Sequence, residues 1–381
     1  MGAMRLTLTI GMLIAAGASN AVLAQVTPAA GSTPPDDTPS IRVGTTIFPN
    51  FTYQTEPKIT DSDGNLVKRS AFDVSRAYLN ITGNISHIVA FRVTPDITRE
   101  TNTASSLAGS LVFRVKYAYL QTNFDDWMTR GSYARFGIQQ TPYLDYAEGI
   151  YRYRFQGTMF LERAGYMSSA DAGASFHYQF KSNYGDVHVG LFNGENYNRA
   201  EVNDQKAIMI RAAVRPFSRK APVLRGLRAA IFFSGDNYVK DGERKRTVAT
   251  ATYEHPWVTA GFEYLDVRDQ RSALPGTPNV KGDGYSVWVI PRDKHGWEGL
   301  IRYDHHTPNT SSAFAPLATA GDATTPLDSQ KQNRIIAGVA YWFPHQGNVS
   351  SALLVDYDGQ IFKHMTAAPT KVVGVHGLIQ F

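Results

Sequence analysis

Alternation with a period of two runs from about residue 41 to the last residue, and it limits the fold more than any other feature of the chain. In LVFRVKYAYL, Leu111, Phe113, Val115, Tyr117 and Tyr119 share one parity, while Arg114 and Lys116 take the other. A helix would wrap those two charges through the apolar side; a strand separates them. KVVGVHGLIQF repeats the pattern, setting Val373, Val375, Gly377, Ile379 and Phe381 against His376 and Gln380. Similar runs fall at 41–54, 70–82, 86–96, 131–140, 172–181, 185–193, 205–216, 223–235, 245–255, 257–267, 283–291, 296–304, 332–343 and 350–359. Together they predict about 16 strands, an even number.

Short turns are expected at Gly83-Asn84 and at Ser182-Asn183-Tyr184-Gly185, and long polar connections over 56–69, 268–283 and 305–331. Short and long links in alternation are the habit of an outer-membrane barrel. The composition agrees. A 19% charged fraction is below the ~25% usual for soluble chains. A mean hydropathy of −0.27 and the lack of a long apolar run after the N-terminus exclude a helical membrane protein. A soluble sandwich of this many strands would split into two domains, yet no linker divides 41–381, and no fixed-period repeat supports a propeller. The expected fold is therefore all-β, a transmembrane antiparallel barrel whose last strand, ending in Phe381, closes against the first.

Residues 1–24 read as a secretory signal: Arg5 leads an apolar core, and the small-residue end Ala21-Val22-Leu23-Ala24 precedes Gln25. A membrane anchor is the alternative, which the short apolar core disfavours. Residues 25–40, rich in Pro, Ser, Thr and Asp, read as an extended periplasmic leader, and 41–381 as the barrel.

Giving the apolar parity to lipid leaves the other parity for the lumen. Ala77, Leu79 and Ile81 then face out, with Arg76, Tyr78 and Asn80 inside; Val89, Phe91 and Val93 face out, with Arg92 and Thr94 inside. Arg114, Lys116, Arg135, Arg211, Arg215, Arg228 and Arg302 follow on the inner side, with Glu263, Asp304, Asp356 and Asp358 as acids of the same parity. A charge on the lipid face costs about 2–4 kcal/mol near the midplane, so the arginines are forced inward. There they would attract anions, guanidinium offering bidentate donors to phosphate or carboxylate. Alternatively they pair with lumen acids and only stiffen the wall.

TPYLDYAEGIYRYRFQGTMFLER, residues 141–163, interrupts the pattern after the fifth strand. A loop folding inward here would narrow the pore, with Arg152 or Arg154 as anion donors and Asp145 and Glu148 keeping binding weak enough for release. A solvated or wall-packed loop is the alternative.

Other signals are weak. Asp61-Ser62-Asp63-Gly64-Asn65 begins like a calcium loop, but the twelfth position is Phe72 rather than Glu. His305-His306 and the inward His177, His188 and His376 require no metal. Without cysteine there are no disulfides or thiolate sites, and no nucleophile elbow, zinc-protease, P-loop or dinucleotide fingerprint occurs. The formal charge of +5 is too small to argue for nucleic acid. No enzyme and no cofactor are expected.

FDVSRAYLNITG (72–83) followed by FRVTPDI (91–97) resembles the early strands of the phosphate-selective porin O and P family, and RFGIQQTPYLDY (135–146) resembles that family's step from a strand into the pore-narrowing region. The resemblance implies a homotrimer of 16-stranded barrels in the outer membrane of a Gram-negative-type bacterium. In it an internal arginine ladder leads anions to a constriction. Arg76 and Arg92 carry over by position within their strands; Arg114, Lys116 and Arg135 do so by strand order and parity. The expected function is passive diffusion of small inorganic or organic anions, phosphate first. A weakly selective porin for small hydrophilic solutes, or a barrel acting as a sleeve for a partner protein, are the alternatives. An outer-membrane hydrolase would need a Ser/His/acid cluster that the sequence does not assemble.

Overall fold

The computed structural model describes residues 37–218, 220–240, 242–270, 279–308, 310, 331–345, 347, 349–363 and 368–381. The expected signal segment and most of the expected leader therefore lie outside the described residues, as do half of the connection expected at 268–283 and most of that expected at 305–331.

Sixteen antiparallel strands form one closed barrel, each paired with its neighbours in sequence. They are β1 (Ser40–Thr60), β2 (Leu66–Asn84), β3 (Val89–Arg99), β4 (Leu111–Asn123), β5 (Tyr133–Gln140), β6 (Ala170–Gln179), β7 (Gly185–Phe192) and β8 (Ala207–Val214). There follow β9 (Leu227–Val239), β10 (Gly242–His255), β11 (Val258–Gln270), β12 (Asn279–Pro291), β13 (Trp297–Thr307), β14 (Lys331–Trp342), β15 (Ser350–Lys363) and β16 (Thr370–Gln380). Closure is made by β1 and β16, whose register runs from Thr46 opposite Gln380 to Glu56 opposite Lys371. Phe381 extends the ladder: its carbonyl accepts from the Thr45 amide at 2.8 Å, and its own amide donates back at 3.1 Å. Pairing through the last residue leaves no open sheet edge to solvate, which is the condition for strands to survive in hydrocarbon.

Each predicted strand is present, with ends shifted by a few residues. The largest difference is at 56–69, expected as a long loop. Here β1 runs on to Thr60 and β2 starts at Leu66, so only 61–65 turn. Outside the apolar band a strand needs no apolar alternation, so the polar tip of this hairpin looked like a loop. Link lengths also alternate less cleanly than expected, since β9 and β10 are joined through 240–241 alone at the end where the longer links lie.

The outer face is apolar where parity put it. Leu79, Val93, Phe113, Phe136, Ile208, Ile210 and Ile301 are exposed, while Arg92, Arg135, Arg211 and Arg302 are buried inside. One assignment is corrected. Tyr117 and Tyr119 were grouped with the outward Val115 but are buried inside, because a bulge interrupts the β3–β4 register. Thr94 pairs with Tyr117 and Pro95 with Val115, leaving Lys116 as the extra residue. A one-residue insertion reverses every side chain beyond it, so Leu120 is exposed while Tyr119 is not.

The interior of the barrel is partly filled. Phe232, Val248, Leu265, Val267, Trp288, Ile290, Leu300, Ile336, Leu354 and Leu378 are buried on the inner faces of β9 to β16 and form one cluster with residues of the 141–169 segment. Each fully buried side chain of this size contributes about 1.5–3 kcal/mol against exposure to lumen water.

Candidate functional site

The segment joining β5 to β6 folds into the barrel. Its neck is closed where the Thr141 amide donates to the Ser169 carbonyl at 3.1 Å and the Thr141 hydroxyl to the Ser168 carbonyl at 3.0 Å. Helix α1 (Pro142–Glu148) begins directly at the neck, with Pro142 in its first turn, where a missing amide hydrogen costs nothing. A second short helix, α2 (Phe160–Arg163), precedes the return to β6.

From α1 onward the chain meets the inner wall strand after strand. Tyr143 packs 5.4 Å from Phe232 on β9, Tyr151 5.2 Å from Trp288 on β12, and Tyr153 6.2 Å from Trp342 on β14. Phe155 lies 6.4 Å from Phe48 on β1, and Gln156 donates to Asp356 on β15 at 2.9 Å. From the wall, Arg302 donates to the Thr158 carbonyl at 3.1 Å and Arg211 to the Pro142 carbonyl at 3.3 Å. The segment is thus held along the inner wall from β8 round to β1, and Asp145 of α1 reaches Arg135 of β5 as well.

The wall formed by β2–β5 is basic and tyrosine-rich. Arg92 is 1% exposed; it donates to Asn80 at 3.1 Å and to Thr94 at 2.9 Å, and its guanidinium sits 4.4 Å from the Tyr117 ring centre. Lys116 donates to the Tyr78 hydroxyl at 3.0 Å. Arg135 lies between the rings of Tyr119 (4.9 Å) and Tyr133 (4.2 Å), donating to Gln121 at 3.0 Å and reaching Asp145 of α1 at 3.5 Å. All three charges are packed inside the wall, not set along open water. Arg76 and Arg114 differ. Their side chains keep 24% and 25% exposure, and they share one fully buried acid, Asp96, at 3.5 Å and 3.8 Å. Arg114 also lies 4.8 Å from the ring of Tyr197, which reaches in from the β7–β8 connection. The bulge residue Lys116 is within electrostatic range of the same carboxylate.

The other expected donors are differently placed. Arg152 donates to Glu298 of β13 at 2.9 Å and lies 3.4 Å over Trp342; Arg154 donates to Glu148 at 2.8 Å and to Glu162 at 3.1 Å. Both are buried, and both anchor the segment. Arg211 pairs with Asp186, Arg228 with Glu254 at 2.7 Å near the end that carries the chain termini, and Arg215 lies just past β8. Arg302 pairs with Asp304 at 2.8 Å.

Two features escaped the sequence reading. Tyr78, Tyr117, Tyr119, Tyr133 and Tyr197 form the surface on which the cations rest, and parity alone hid Tyr117 and Tyr119 behind the bulge. Arg163 of α2 is the second. It donates to Gln156 at 3.1 Å, its Nη1 is buried with no hydrogen-bond partner, and it faces Arg334, which pairs with Asp358 at 2.5 Å, across a small hollow. Among the described residues, no group of three or more metal-ligating side chains comes together.

A closed 16-stranded barrel with an apolar outer band and a polar, partly filled interior defines an outer-membrane porin. The family model for phosphate-selective porin O and P matches residues 54–252, more than half of the chain, and the protein belongs to that family. It is a transport barrel of the outer membrane, not an enzyme. Solved porins share the fold at low identity. The anion-selective porin from Comamonas acidovorans is 13% identical, covering 90% of this chain and 100% of its own, with a TM-score of 0.59. Salmonella typhi OmpF in complex with daunomycin is 14% identical, over 91% and 98%, with a TM-score of 0.59. Pseudomonas putida OprB is 9% identical, over 90% and 94%, with a TM-score of 0.57. No curated protein matches the sequence.

Proposed function

We propose that the barrel lets small anions, phosphate first, diffuse passively across the outer membrane along its β2–β5 wall. The observation that carries this reading is the pair Arg76 and Arg114, partly exposed and sharing the single buried carboxylate of Asp96. With Arg92, Lys116, Arg135 and Arg154, six cations stand on this side against Asp96, Asp145, Glu148 and Glu162. The balance is positive in a space narrowed by residues 141–169. The phosphate selectivity for which the family is named, and the anion selectivity of the Comamonas acidovorans porin, point the same way. Export by residues 1–24, a periplasmic leader at 25–40 and assembly as a homotrimer complete the reading.

A weakly selective porin is the second reading, favoured by the number of inward arginines that already hold a carboxylate. A sleeve for a partner protein would need the space that residues 141–169 fill. Reversal potentials across a planar bilayer under a potassium chloride gradient separate the first two. Anion preference that falls in Arg76→Ala/Arg114→Ala, together with block of chloride current by added phosphate, supports the anion pore. Cation preference, or no preference in either protein, overturns it.

A further inference from the structure

On the outer face of the barrel, at the end away from the chain termini, three cations stand side by side. Lys245 of β10 pairs in register with Arg268 of β11, and Arg268 with Lys281 of β12. Their sequence neighbours Arg246, Val267 and Val280 are buried inside, so these three project outward. Like charges directly opposite on antiparallel strands repel, so this row costs stability unless an anion covers it. Lys245 has Glu243 at 2.6 Å; among the described residues no carboxylate pairs with Arg268 or Lys281.

Below this row the outer face is layered. Two residues toward the membrane, Asp266 stands opposite Asp283. Two residues further, Tyr264 faces Tyr285, which faces His305, with 5.2 Å between the last two rings. Beneath lie the exposed apolar residues Phe262 and Val287. Aromatic rows of this kind mark the membrane–water interface. Four residues of strand separate Tyr264 from Arg268, about 13 Å along the strand, or roughly 10 Å along the normal at ordinary tilt. That is the level of lipid headgroup phosphates. A hollow of about 500 Å³ opens in the same outer face, lined by Tyr264, Asp283, Tyr285, His305, Thr307 and Lys331.

We infer that this face is a binding site for the phosphorylated sugar headgroup of an outer-leaflet glycolipid of the lipid A class. Arg268 and Lys281 receive a phosphate, the sugar occupies the hollow, and the acyl chains lie on Phe262 and Val287. Asp266 and Asp283, which would repel a second phosphate at their own level, accept hydrogen bonds from sugar hydroxyl and amide donors instead. Lys331, which lines the hollow, and Lys363, directly opposite it on β15, add two further cations to this face. The site lies outside the pore and is independent of the anion reading.

Native mass spectrometry of the detergent-solubilised protein tests it, with bisphosphorylated lipid A, its dephosphorylated counterpart and inorganic phosphate as probes. Bisphosphorylated lipid A is expected to remain bound, and Arg268→Gln/Lys281→Gln to weaken it by about tenfold or more, since two charge-assisted contacts are lost. Arg268→Lys/Lys281→Arg should retain it, and pore conductance should be unchanged in either variant. Equal binding in the wild type and the Gln variant overturns the site. So does equal binding of the dephosphorylated lipid, or a substitution-sensitive adduct of phosphate alone. A change in subunit number instead of lipid mass would assign the patch to a protein contact and likewise overturn it. Lys281→Gln alone serves if the double variant does not fold.

Discussion

Arg152 and Glu298, 146 residues apart in the chain, meet inside the barrel as an ion pair at 2.9 Å, and the same carboxylate accepts from the Tyr153 hydroxyl at 2.8 Å. Glu298 thereby fixes the middle of the inserted segment to β13. Removing one partner of a buried pair leaves the other charge uncompensated, at a cost of about 3–5 kcal/mol. Because the sheet closes without this contact, the cost falls on the segment. Glu298→Ala is expected to free residues 149–159 from the wall, giving larger and noisier single-channel currents with heat resistance of the barrel largely kept. Currents identical to wild type in size and noise would show that the pair does not hold the segment.

Asp96 is the single carboxylate between Arg76 and Arg114, so its removal raises the positive potential of the exposed wall. Asp96→Asn should increase anion over cation permeability at low salt. The gain should vanish near 1 M salt, where the screening length falls to about 3 Å. Reversal potentials at both salt levels check this, and an unchanged ratio at low salt would show that Asp96 does not set the potential along the ion path.

How much of this was legible in the sequence depends on the range of the signal. Strands such as Leu111–Asn123 announce themselves because lipid on one face and polar interior on the other write a period of two into adjacent residues. The bulge at Lys116 does not, since nothing in Val115-Lys116-Tyr117 says that two neighbours turn the same way. In β12, the unbroken Val287-Trp288-Val289-Ile290 is apolar on both faces, because the inner face packs the inserted segment; that run was the available hint. Thr141-Pro142 likewise marked the start of α1. Glu148 was named beside Arg152 and Arg154, but their remaining partners were beyond reach: Glu298 is fixed only by the closed register, and Glu162 only by the path of the segment.

Gly137 lies within β5 at φ 125°, a left-handed conformation that side chains disfavour, and a Cβ there would run into the Ala118 carbonyl oxygen of β4. It pairs with Tyr119 on one side and Gly173 on the other, where the wall closes around Arg135. Gly137→Val is expected to block this pairing and lower the yield of heat-modifiable folded barrel in the outer membrane. Gly64→Ala, in an open turn where a Cβ meets nothing within 4 Å, should keep near-normal yield despite its φ of 85°. Equal yields of the two variants would refute the steric argument.

His87, in the turn between β2 and β3, joins two elements at the terminal end of the barrel. Its Nδ1 lies 2.5 Å from Asp37, just before β1, and its Nε2 2.8 Å from Asp126 in the β4–β5 turn. Hydrogen bonding to Asp37 first, and to Asp126 second, raises the imidazole above its ordinary 6.5. The sign follows: a group whose folded value is raised supports the contact fully below its unfolded value, and that support is lost as pH rises through the raised one. The chain has no cysteine, so Pro39→Cys, at an exposed position two residues past Asp37, carries a spin label at a unique site. Its motion should be restricted near pH 5 and freer near pH 8, and free at both in a His87→Gln background. A spectrum that does not change with pH while His87 is present would show that the contact holds without the proton.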